Sequence, residues 1–162
     1  MIFNKNKQKG VTLIELLVTM SVLVVGISGS MALIHRTIEA SSVNTAQLQA
    51  AYLAQEGIEI VRNIRDANYV NGYSWDTGIS SGDCYEISYN LNTMSSCLAG
   101  LRFLKIDNNG FYQYLNGNDS KFTRQIKITK WTNSARIEAI VSWQEKNETY
   151  NVTVTANLYD WR

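Results

Sequence analysis

Residues 11–34 read VTLIELLVTMSVLVVGISGSMALI, 24 positions with a single charge, Glu15. At 1.5 Å per residue, a helix of this length reaches about 36 Å, more than a hydrocarbon core of about 30 Å. No proline occurs anywhere in the 162 residues, so nothing stops the helix at its end. A chain built around such a run has to place it in a bilayer or pack it against other helices. Everything downstream must fold with that segment attached.

Charge fixes an orientation. The first ten residues carry Lys5, Lys7 and Lys9 and no acid, although the formal net charge of the whole chain is only +1. The remaining 152 residues hold twelve basic side chains against fourteen acidic ones. The positive end therefore belongs to the segment before the span, which the positive-inside rule keeps on the cytoplasmic side. The chain beyond His35 and Arg36 is expected to be exported. The four Trp and nine Tyr all lie after residue 50, which indicates a folded, aromatic domain there.

A secretory signal peptide has the same basic and apolar regions, and Ser28-Gly29-Ser30 would serve as its cleavage site. Glu15 argues against that reading. A carboxylate in the span costs about 3 kcal/mol on insertion scales and marks a functional position. It lies one helical turn after Val11. Cleavage between Gly10 and Val11 would create an α-amine close to it, and the two charges would neutralise each other across neighbouring subunits. Gly10 offers the bare backbone that a protease approaches closely.

KGVTLIELLV, residues 9–18, resembles the processing signal of type IV prepilins and type II secretion pseudopilins. The resemblance implies that a prepilin peptidase cuts after Gly10, that Val11 becomes the N-methylated first residue, and that Glu15 guides docking and register in the fibre. Many members have Phe where Val11 stands and a helix-bending proline that is missing here. Gly26 and Gly29 either loosen the helix, at about 1 kcal/mol each, or allow close helix packing. AQEGIEIVRNIRDANY (residues 54–69) and LYDWR (residues 158–162) also look like segments of pilin-like proteins. Val24-Val25-Gly26-Ile27 resembles minor pilins and minor pseudopilins somewhat more than major ones.

Beyond the span, Ala46, Ala50, Leu53, Gly57, Ile60 and Ile64 recur at three- and four-residue spacing, an amphipathic stripe. The pattern predicts one helix from Val11 to about Asp66, ending before Asn68 and the Asn71-Gly72 turn. The last third predicts strands. Residues 103–106 and 111–115 flank the turn Asp107-Asn108-Asn109-Gly110. Runs 122–131, 136–144 and 149–158 come next, with Ile137, Ala139, Val141 and Trp143, and then Tyr150, Val152, Val154, Ala156 and Leu158, at a period of two. Short connections imply a meander covering the helix stripe. The expected fold is α+β, the pilin-like lollipop: a long N-terminal helix packed on an antiparallel β-meander. Its divisions are a leader (1–10), an assembly helix (11–35) and an exported domain (36–162), with a variable loop region to about 102 and a sheet over 103–160.

Cys84 and Cys97 are the only cysteines, and in an exported chain their spacing predicts a disulfide, with free or metal-binding thiols the alternative. Closing such a loop stabilises by about 3 kcal/mol in the chain-entropy model. The single histidine, His35, sits at the membrane edge, so no serine or cysteine nucleophile has a histidine base and no enzyme is expected. No cofactor or metal is expected either. Asp107 to Gly110 suits a turn better than calcium, which needs six or more oxygens. Lys121, Arg124, Lys127, Lys130 and Arg136, around Trp131, suggest a DNA-binding patch. Alternation along a strand puts Arg124 and Lys127 on opposite faces, so a solvated strand is the preferred reading and DNA binding is not expected. Three N-x-S/T matches, at Asn118, Asn147 and Asn151, decide little.

The resulting expectation is a structural subunit, a minor pilin, of a type IV pilus-like filament. Its expected partners are prepilin peptidase, other pilin subunits in a helical filament, an inner-membrane assembly platform, and membrane lipid before assembly. It would be a single-pass inner-membrane protein with a cytoplasmic N-terminus, then part of a periplasmic or extracellular filament. A type II secretion pseudopilin is the alternative. A membrane-anchored exported binding domain, using its Tyr and Trp residues, is the alternative of another class.

Overall fold

The computed structural model describes residues 10–90, 94–97 and 100–161. The leader lysines Lys5, Lys7 and Lys9, and the final Arg162, lie outside the described residues. One long helix is followed by an antiparallel sheet, so the architecture is α+β. The elements are α1 (Leu13–Val70), β1 (Gly82–Glu86), β2 (Ser95–Ser96), β3 (Phe103–Ile106), β4 (Tyr112–Gln113), β5 (Asn118–Lys130), β6 (Ser134–Glu145) and β7 (Glu148–Tyr159). Two compact units divide the chain, Met1–Ser42 and Val43–Arg162.

In the first unit, α1 passes through Gly26 and Gly29 without a break. Ser30 donates its hydroxyl back to the Gly26 carbonyl at 2.9 Å. Of the two readings of these glycines, a loosened helix has no counterpart in the backbone. Every described residue up to Ser42 is exposed.

In the second unit, α1 extends a turn beyond the expected end. Asn68 does not stop the helix. It is buried inside it, and its amide donates to the carbonyls of Trp75 (3.1 Å) and Thr77 (2.8 Å). Termination comes at Gly72, which has φ 73°. There the Tyr73 N–H reaches the Asn68 carbonyl (2.9 Å) and the Gly72 N–H reaches that of Tyr69 (3.2 Å), a Schellman closure that satisfies two terminal carbonyls. The buried face is also shifted from the expected stripe. Ala46, Ala50, Leu53 and Gly57 are buried as expected, but Ala54, Ile58 and Val61 are buried beside them, while Ile60 and Ile64 are only half-buried.

The three long strands form the expected meander, with β6 paired to β5 on one side and β7 on the other. The opposite edge of β5 is shared. β1 takes its C-terminal half (Tyr85 opposite Ile126) and β3 its N-terminal half (Phe103 opposite Thr123). Thus the stretch expected as a variable loop holds two short strands, β1 and β2. Ala135, Ile137, Ala139, Val141 and Trp143 of β6 are all buried, in strict alternation. Each fully buried Ile or Val contributes about 1.5–3 kcal/mol of apolar transfer free energy.

Two glycines permit close approaches, one between helix and sheet and one between the turn before β5 and the end of β3. At Gly57 a Cβ would fall 2.7 Å from Ile126 Cδ1 and 3.2 Å from Arg124 Cδ, so a side chain there holds the helix off the sheet. At Gly117, with φ 124°, a Cβ would lie 2.2 Å from the Ile106 carbonyl oxygen. Only glycine fits that position.

Candidate functional site: the N-terminal turn and the apolar span

Thr12 immediately precedes the first helical residue and acts as the N-cap. Its Oγ1 accepts the Glu15 N–H at 3.4 Å, and its carbonyl accepts the Leu16 N–H at 3.2 Å. Threonine followed three residues later by glutamate is the capping-box spacing, in which a side-chain oxygen satisfies an otherwise orphaned helix donor. Sequence reasoning missed this role of Thr12, although T-x-x-E was visible in the chain. Glu15 consequently sits in the first turn, where the helix dipole favours a negative charge. Ahead of it Gly10 is exposed, and a Cβ there would meet nothing within 4 Å.

Polar groups along the span close on the helix itself. Thr19, Ser21 and Thr37 donate to the carbonyls of Leu16 (2.9 Å), Leu17 (2.8 Å) and Leu33 (2.9 Å). Such back-bonding lets hydroxyls enter an apolar medium at little cost. Mean hydropathy over an 18-residue window of this helix reaches 2.2, with none of the window buried. Gly26 and Ser30, four residues apart, open a shallow hollow bordered by Leu23, Ile27 and Ile34. Small residues at this spacing let a second helix come close.

Other residues singled out from the sequence lie in the second unit. Cys84 and Cys97 form a disulfide that staples β1 to β2, and the Cys97 N–H also bonds the Cys84 carbonyl at 3.2 Å. Asp107 is spent on its turn: Oδ1 accepts the N–H groups of Asn109 and Phe111, both at 2.9 Å, and Oδ2 accepts the Tyr89 hydroxyl at 2.9 Å. These bonds, the one from Phe111 foremost, hold the Asp107 carboxyl below its ordinary pKa.

Of the five cations considered as a DNA patch, four lie beside acids and Arg136, among the described residues, does not. Lys121 pairs with Glu145 (3.0 Å), Lys127 with Asp83 (3.0 Å) and Lys130 with Asp76. Lys130 and Ser74 together hold the Asp76 carboxyl below its ordinary pKa. Arg124 corrects the reading of β5 as a solvated strand: it is wholly buried between helix and sheet. Nη1 donates to the Leu53 carbonyl at 2.9 Å and lies 3.3 Å from Glu56 Oε1, an ion contact without hydrogen-bond alignment. Nη2 donates to the Ile87 carbonyl. One guanidinium thus ties α1 to the stretch after β1. Its neighbour Lys127 points to the other face, as alternation requires.

The N-terminal helix is apolar and exposed over its first half, capped at a threonine, long and apolar enough there to cross a membrane, and followed by an antiparallel sheet. Residues 5–31 match the prokaryotic N-terminal methylation motif, which indicates a type IV pilin- or pseudopilin-like prepilin. No curated protein and no solved structure matches the chain. The motif implies processing by prepilin peptidase and assembly with other pilins, and it indicates a structural subunit rather than an enzyme.

Proposed function

We propose that this chain is a structural subunit, a minor pilin, of a type IV pilus-like filament. The peptidase cuts between Gly10 and Val11, and the new amine of Val11 is methylated. The observation that carries the reading is the methylation motif over residues 5–31, laid on a fully exposed apolar helix with one acid in its first turn. Before assembly the span rests in the inner membrane with the N-terminus cytoplasmic. Assembly exchanges lipid for like helices around it. Glu15 sets register, because its carboxylate neutralises the amine of a neighbouring subunit in a medium where either charge alone is costly. The exported division, residues 36–162, stays outside the helical bundle.

Replacement of Glu15 by Ala tests this assignment. The variant is expected to insert, lose its leader and form the Cys84–Cys97 disulfide, while its share in sheared filaments falls roughly tenfold or more. Undiminished incorporation of Glu15→Ala would refute the register role. Loss of export would point instead to an effect on insertion.

A further inference from the structure

At the end of the sheet where β5 turns into β6, Trp131, Ser134, Ala135, Arg136, Asn157 and Tyr159 line a groove of about 250 Å³. Its two rings are unusually bare for their size, Trp131 being 54% and Tyr159 58% exposed. Ser134 lies opposite Tyr159 and bonds Trp131, and Arg136, two residues on, lines the same groove. The cations of β5 are each paired with an acid, whereas the Arg136 guanidinium has neither ion pair nor hydrogen bond among the described residues. The Asn157 amide, directly opposite it in register, is likewise unspent among them. Glu138, the next acid along that face, lies opposite Lys127 in the ladder and contributes to the charge around that lysine.

The walls are held in place. The Trp131 N–H bonds the Ser134 carbonyl at 2.7 Å, and the Asp160 N–H bonds that of Asn133 at 2.9 Å, which fixes the end of β7 beside the β5–β6 turn. Tyr69 anchors the same end: its hydroxyl donates to Asp160 Oδ1 at 2.8 Å and accepts the Trp161 N–H at 3.0 Å. A ligand therefore meets a backbone frame that is already fixed, and only side chains remain to be ordered on binding.

The chemistry narrows the occupant. Two aromatic faces accept the apolar C–H face of a saturated ring. The guanidinium donates to one anionic group, and a carboxylate on such a ring meets its fork with two parallel hydrogen bonds. The floor lies over the β6–β7 ladder, where backbone groups are already paired, so the ligand must be read by side chains and bring its own hydroxyls for Asn157, Ser134 and Tyr159. The volume suits a single ring, below the range of drug-sized pockets. A nucleic-acid strand needs several cations along its phosphates, and here one is unpaired.

We propose that this groove binds a carboxylate-bearing sugar ring, a uronic acid or its like, free or within an acidic polysaccharide. The site is independent of the filament assignment. The test uses the full chain in detergent micelles, with saturation-transfer NMR and tryptophan fluorescence reporting binding of a galacturonate trimer, a neutral galactose trimer and a short single-stranded DNA. The galacturonate trimer should bind, and the neutral trimer at least about fivefold more weakly. Trp131→Ala should weaken the acidic trimer about tenfold or more, and Arg136→Gln should erase the preference for acid over neutral sugar. Both substitutions are at exposed positions, and an unchanged thermal unfolding curve would verify the fold. Equal binding of both sugars by the unaltered chain, binding indifferent to Trp131→Ala, no sugar binding, or a salt-dependent preference for DNA would each overturn the proposal.

Discussion

Up to Ser42 the chain carries its apolar side chains outward, and after Val43 it turns them in. In the first unit Leu13, Val18, Leu23, Ile27 and Ile34 are all more than half exposed. In the second, Ile87, Leu104, Ile126, Ile137 and Val141 are sealed from solvent. The same residue types thus serve opposite ends. One unit contains the partners it needs, and the other is complete only in lipid or among like helices. Stability of the second unit is therefore a property of this chain, whereas stability of the first depends on its surroundings. The contrast holds for polar groups too. Hydroxyls of the span bond only to their own helix, while Arg124 bridges elements far apart in sequence.

The largest expected effect comes from striking the bridge. Arg124→Ala removes the guanidinium that joins the Leu53 and Ile87 carbonyls and leaves a cavity beside Gly57. It should cost the second unit about 3 kcal/mol, seen as an early loss of near-UV circular dichroism, while membrane insertion is unchanged. A loss below about 0.5 kcal/mol would mean that helix and sheet are held by apolar contact alone. Next, Cys84→Ser with Cys97→Ser should cost about 2–4 kcal/mol in thermal unfolding and again spare insertion. If the double variant failed to insert, the separation of the two units would be wrong.

Acid gives the smallest effect. Asp76 and Asp107 have carboxyls depressed in the folded chain, the first chiefly by Lys130 and the second chiefly by the Phe111 N–H. The unfolded chain binds these protons more tightly, so stability rises with pH in this window. It is complete above the ordinary carboxylate value near about 3.9 and is lost as pH falls through the lower folded values. Asp76→Asn with Asp107→Asn should make the loss of stability as pH falls below about 4 shallower. An unaltered acid limb would show that these turns do not report on the folded unit.

Legibility in the sequence differed between the two units. The span was visible as composition, since a run with one charge needs no tertiary knowledge. In β6 and β7 the period of two marked which residues turn inward, because each strand has one covered face. Arg124 was harder to place. Its register, two after Phe122 and two before Ile126, put it on the inward face, but a guanidinium goes there only if carbonyls from α1 and the post-β1 stretch meet it. Those partners are 71 and 37 residues away. β1 and β2 were missed for the same reason: GDCYE and a Ser pair have no alternation, and their pairing comes from the edge of β5 and from the disulfide. The helix end moved a turn because Asn68 uses its amide on two loop carbonyls instead of breaking the helix. The Trp131–Tyr159 groove escaped because its parts meet only across the sheet.

The central claim is that the outward-turned unit is processed for assembly at its first residue. Mass spectrometry of the N-terminal peptide from the mature protein addresses it most directly. The account predicts a chain that begins at Val11 and carries one added methyl group on its amine. A chain that still begins at Met1, or one cut near Ser30, would contradict it.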